Sequence, residues 1–175
     1  LLDLINIKLM PAIANVREGL IEAFQAIRSL AAENCKQVGR DIKWRLTPKE
    51  IQSRALRDIH ASLVLPAVED VHQLVGQCNQ LLSRLKKIDS PIGQEEEGPF
   101  GVELNQLTAY RDRLIRMANN FAEATGSKVD PGVVPWIEID VERNYIVRLI
   151  RCPLQVGDAF VEWVYPNVKT IAMVS

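Results

Sequence analysis

Between Lys36 and Arg57 the chain carries Lys36, Arg40, Lys43, Arg45, Lys49, Arg54 and Arg57 against only Asp41 and Glu50, and Trp44 stands between two of these cations. Cations can follow a phosphate backbone while an exposed indole stacks on a base, a combination found in grooves for single-stranded nucleic acid. Lys36, Arg40, Lys43, Trp44 and Arg45 are therefore the candidate nucleic-acid-binding residues. Trp44 has a second reading, in which it packs as a buried staple beside a helix start at Thr47 and the cations are solvated around it. Arg111, Arg113 and Arg116 make a weaker cluster, with Arg113 and Arg116 on one helical face.

Covalent or metal chemistry finds less support. The sequence has no G-x-x-x-x-G-K-[ST] phosphate loop, no G-x-S-x-G elbow and no H-E-x-x-H pair. His60 and His72 lie on opposite sides of Pro66, so nothing in their spacing brings them to one metal. Glu95, Glu96 and Glu97 read as a solvated acidic loop. Cys35, Cys78 and Cys152 are odd in number and far apart, which fits reduced thiols in a cytoplasm better than a disulfide framework or a metal cluster. No catalytic residue, metal or cofactor is expected within these residues.

Composition agrees with a globular protein, 47% hydrophobic and 25% charged, and a net charge of -1 excludes a wholesale basic footprint. No run approaches the roughly 20 apolar residues of a membrane span, so no membrane contact is expected.

The elements that must position the patch change character along the chain. Ile13, Val16, Leu20, Phe24, Ile27 and Leu30 recur at helical steps from about Pro11 to before Gly39. Thr47, Pro48 and Glu50 form a capping box with proline at the first helical position, opening a second helix through Ile51, Ala55, Ile59 and Leu63. Pro66 either kinks that helix or separates it from the stripe Val68, Val71, Leu74, Val75, Cys78, Leu81, Leu82 and Leu85. If continuous, the element would be ~60 Å long. Asp89 to Gly101 is a loop by composition, and Leu104, Leu107, Leu114, Met117 and Phe121 mark a last helix ending near Gly126. Beyond Asp130-Pro-Gly-Val the period becomes two. Trp136-Ile-Glu-Ile-Asp and Tyr145-Ile-Val-Arg-Leu-Ile predict an antiparallel hairpin turning at Val141-Glu-Arg-Asn144, then a short helix over Leu154–Trp163 and a buried strand over Val168–Val174. The expected fold is mainly α: an antiparallel helical bundle over 1–126, then a small α/β fragment over 133–175.

Trp136-Ile-Glu-Ile-Asp, Leu149-Ile-Arg-Cys-Pro-Leu-Gln-Val-Gly157, Trp163 and Val168-Lys-Thr-Ile-Ala-Met-Val-Ser175 together resemble the DinG-like helicases, relatives of XPD in helicase superfamily 2. In that family a similar strand pair, short helix and apolar strand lead into a Ser-Ala-Thr-Leu motif, whose first serine Ser175 would be. The resemblance implies that residues 1–126 are the helical arch insertion and 133–175 part of a RecA-like motor domain. It implies an ATP-dependent parent in which the arch encloses single-stranded DNA beside the motor, with ATP and magnesium bound by the remaining motor domains of the same protein. The family's Walker A loop, DEAH box and iron–sulfur cysteine quartet are absent from these residues, so the resemblance leaves the cluster open. The apolar tail and the apolar start at Leu1 are expected to be cut from a longer chain, and such a tail, taken alone, would pair with its copy in a dimer. The alternative is a helical scaffold or adaptor whose apolar stripes bind partner helices.

Overall fold

Asp41-Ile-Lys-Trp-Arg-Leu46 alternates polar and apolar side chains, which suits an extended chain with one buried side. In a computed structural model, which describes residues 1–35, 41–89, 100–140, 146–154, 157 and 160–168, this segment is strand β1 (Asp41–Arg45). It lies where sequence reasoning expects only a connection between helices. Helix α1 (Met10–Asn34) precedes it, entered through a wider π-type stretch over Leu4–Leu9. Helices α2 (Pro48–Ile51), α3 (Arg54–Ile59), α4 (Leu65–Asp89) and α5 (Gly101–Thr125) follow, then strands β2 (Val133–Asp140) and β3 (Ile146–Pro153). Helix accounts for 74% of the described residues, and the strands make one antiparallel sheet in the order β1-β2-β3. The mainly α class and the β2–β3 hairpin are as expected.

Local chemistry explains most boundaries. At α2 the capping box forms in full: Glu50 N–H donates to Thr47 Oγ1, and the Thr47 N–H donates to the Glu50 carboxylate. The helix then breaks at Gln52, and Ser53 caps α3 by accepting from the Leu56 N–H. Between α3 and α4 the chain stays helical, with π-type bonding over His60–Val64 and the Leu65 N–H reaching back to the His60 carbonyl. Pro66 has no N–H to give, and its ring would crowd a carbonyl one turn earlier; a widened turn just before it relieves both problems. One helical rod therefore runs from Arg54 to Asp89, about 54 Å at the usual rise.

α4 packs between α1 and α5. Gly19 lets α1 approach closely, since a Cβ there would sit 3.4 Å from the Ala67 Cβ. Phe24 of α1 and Phe121 of α5 stack with ring centroids 4.8 Å apart. Three expected stripe positions face outward: Ile13 and Met117 are 42% and 59% exposed, and Ala55 is exposed while its neighbour Leu56 is buried. On α5 Leu104 is buried near the start, and further along it is Ala118, Phe121 and Thr125, spaced by three and four, that are buried, with Met117 just off that face.

The sheet lays Ile42, Trp44, Ile137 and Ile139 into the same core as Val16, Ile27, Val64, Val71 and Phe121. Packing thus runs straight across residues 126–133, and the helical part over 1–126 contributes a strand to the sheet of 133–175. The expected turn at 141–144, residues 169–174 of the expected last strand with Ser175, and most of the loop over 89–101 lie outside the described residues; Val168, where that strand is expected to begin, is exposed and not in a strand. Of the helix expected over Leu154–Trp163, the described residues show Gly157 in helix and a π-type turn at Phe160–Val164.

One core implies one transition. Ile137→Ala and Ile139→Ala should each destabilise the protein by ~2–5 kcal/mol, and denaturation followed by helical circular dichroism and by tryptophan fluorescence should coincide. Helices that outlast the sheet in the Ile137→Ala variant would show two cores instead.

Candidate nucleic-acid interface

Strand geometry divides the predicted patch. Successive side chains in β1 point to opposite faces, so Trp44 cannot share a face with Lys43 and Arg45. Trp44 is 5% exposed and in the core, while Lys43 and Arg45 are exposed on the outer face of the sheet. The exposed-indole reading of Trp44 is thereby corrected in favour of its burial. Its indole N–H donates to Glu50 Oε1 at 2.9 Å, and the other carboxylate oxygen accepts from the Thr47 N–H at 2.6 Å. One carboxylate therefore fastens the buried indole to the start of α2. Lys36 and Arg40, the other two patch residues, lie outside the described residues.

The same register shows what Lys43 and Arg45 face. Lys43 pairs with Glu138 and, across β2, Arg148; Arg45 pairs with Trp136 and, across β2, Ile150. Lys43 Nζ is 3.9 Å from Glu138 Oε1, and Arg148 reaches Glu138 at 3.6 Å and Asp140 at 3.8 Å. These are partly exposed pairs, each worth under about 1 kcal/mol, and they balance charge along the middle of the face. Arg45 has at its side the half-buried Trp136. Trp136, not Trp44, is the aromatic side chain that accompanies an outward cation. The alternation of Trp136-Ile-Glu-Ile-Asp already places Trp136 outward with Glu138 and Asp140, but only cross-strand register joins it to Arg45.

The remaining cations are dispersed. Arg54 pairs with Asp58 one turn away, both exposed. Arg111 is held by Asp112 and by Asn79 of α4, while Arg113 and Arg116 face solvent. Arg151 links β3 to Glu123 of α5 at 2.8 Å and approaches Asp130 at 3.8 Å.

Beside Arg151 lies a polar cavity of about 460 Å³, lined by His60, Glu123, Lys128, Asp130 and their neighbours. Thr125 Oγ1 donates to the Phe121 carbonyl and therefore accepts from His60 Nδ1 at 2.9 Å, leaving Nε2 as the imidazole acceptor. Burial disfavours the charged ring and holds the His60 pKa below its ordinary value. His72 is exposed and elsewhere. Among the described residues no group of three or more His, Cys, Asp or Glu side chains is arranged to hold a metal ion, and no helix is long and apolar enough to cross a membrane. No family model, curated protein or solved structure matches the chain.

The Glu50 carboxyl gives a direct test of how Trp44 is held. Burial raises its pKa, but hydrogen bonds from the Thr47 backbone, the Trp44 indole and the Thr47 hydroxyl, with the Lys49 charge, outweigh that and leave it below 4.5. The folded state thus binds its proton more weakly than the unfolded chain. This contribution is complete above pH 4.5 and disappears as pH falls through the lower folded value. Glu50→Gln should flatten the stability profile in that acid window. Glu50→Ala should cost ~1–3 kcal/mol at neutral pH, by leaving the buried indole N–H without an acceptor, read by urea denaturation.

Proposed function

We propose that the chain is the helical arch insertion of a DinG-like DNA helicase together with strands returning to its first motor domain, and that it contacts single-stranded DNA with the outer face of its sheet. The observation that carries the contact is the register of Arg45 with Trp136, with Lys43 and Arg148 one step along. A base stacking on the exposed part of the Trp136 indole would bring its phosphate within reach of the Arg45 guanidinium. Glu138 and Asp140 limit the affinity, because Lys43 and Arg148 must loosen their ion pairs to meet phosphate. The long rod from Arg54 to Asp89 suits an element that arches over a strand path. In this reading the hairpin β2–β3 joins a RecA-like domain, and ATP and magnesium act in the remaining motor domains, which supply the Walker A loop that these residues lack.

A second reading, a helical adaptor for partner helices, draws support from an apolar groove between α1 and α5.

Titrating the chain into a labelled oligo-thymidine at low salt, then raising salt stepwise, tests the DNA reading. Binding should weaken linearly in log–log form, and the Lys43→Ala/Arg45→Ala double variant should reduce the slope by about one to two counterions. A folded chain with no affinity at low salt, or a double variant with unchanged affinity and slope, would refute it.

A further inference from the structure

α1 and α5 both run antiparallel to α4: Gly19 sits against Ala67, whereas Ile13, earlier in α1, shares a groove with Cys78, later in α4. On α5, Arg111 reaches Asn79 of α4, and the later Phe121 meets Phe24. The seam between α1 and α5 is closed over their C-terminal halves, where the two phenylalanine rings stack and the sheet packs against both helices. Over their N-terminal halves it opens into a groove of about 620 Å³.

The groove is apolar from floor to rim. Leu74 and Cys78 of α4 form the floor. Burial pushes the Cys78 thiol up, against a smaller opposing pull from the Arg111 guanidinium, so it stays protonated and behaves as an apolar surface. Ile13 and Ile21 on one wall and Tyr110 on the other are 42%, 46% and 63% exposed. Large apolar side chains gathered along one concave face mark an interaction surface, unlike the same residues scattered singly. The charged residues among those lining the groove are Arg17 on α1 and Arg111 on α5; the Arg111 guanidinium is already met by Asp112 and Asn79, which leaves Arg17 as the cation facing the groove without a carboxylate among its described lining residues.

Three helices with one open seam lack the fourth member of a bundle, and the vacant place suits a helix antiparallel to α1 and α5. The geometry points to this groove as the docking site for an amphipathic helix of a partner protein, with apolar residues at i, i+3, i+4 and i+7 and carboxylates along the edge that faces Arg17. The groove and the outer face of the sheet share no residue. The inference therefore does not depend on the DNA reading; it rests on the adaptor reading and deepens it by naming the chemistry of the partner helix.

Fluorescence anisotropy with two labelled peptides tests it, each about five helical turns long with the same leucine stripe, one edged with Glu and the other with Lys. The full chain should bind the Glu-edged peptide at least about tenfold more tightly. Arg17→Glu should erase that preference, and Ile21→Asp, at an exposed wall position, should abolish binding while circular dichroism shows the fold retained. Equal binding of the two peptides, or binding of neither by the folded chain, overturns the proposal. So does a concentration-dependent dimer dispersed by Ile21→Asp, which would make a second copy of the chain the occupant.

Discussion

The pairing of β1 with β2 is the constraint on which the rest of the structure depends. Five residues between two helices reach a strand far along the chain, and the register Trp44↔Ile137 and Ile42↔Ile139 fixes which side chains enter the core. A slip of one residue would send Trp44 and Ile42 to solvent and Lys43 inward, at a cost no surface ion pair could offset. Glu50 adds a local clamp, tying the indole to the helix that follows. The same pairing therefore sets the hydrophobic core and the chemistry of the outer face.

That face follows from alternation. Because Ile42, Trp44, Ile137 and Ile139 are held inward, Lys43, Arg45, Trp136 and Glu138 must face outward. Its middle is a charge-balanced row of ion pairs, and its distinctive part is the neighbouring Arg45 and Trp136. The helical layer offers a different surface: an apolar seam between α1 and α5 that the sheet does not reach. The charged face and the apolar groove thus lie on separate parts of one packed unit.

Short-range chemistry was legible in the sequence. The Thr47 capping box, the helical stripes of α1 and α4 and the β2–β3 hairpin follow from spacing alone. β1 was not, because its alternation spans few residues in a cation-rich segment and its partner lies far away, a relation that no local period encodes. Pro66 signals a lost hydrogen bond, yet not that a π-type stretch before it keeps the helix going. Met117 and Ala118 exchange roles because tertiary contact, rather than size, decides which edge of α5 turns inward. Within the candidate site, Lys43 and Arg45 could be read as surface cations and a buried Trp44 was one of two readings open to the sequence; the structure decides for burial, and the position of Trp136 beside Arg45 required the register.

The central claim is that this register presents Arg45 and Trp136 together as a surface for single-stranded DNA while Trp44 stays inside. Nuclear magnetic resonance of the nitrogen-labelled chain, titrated with oligo-thymidine, tests it most directly. The account predicts that the Trp136 indole signal and the Lys43 and Arg45 amides shift, while the Trp44 indole, bonded to Glu50, does not move. Shifts confined to the groove walls at Ile21 and Tyr110, or none at saturating oligonucleotide, would contradict it.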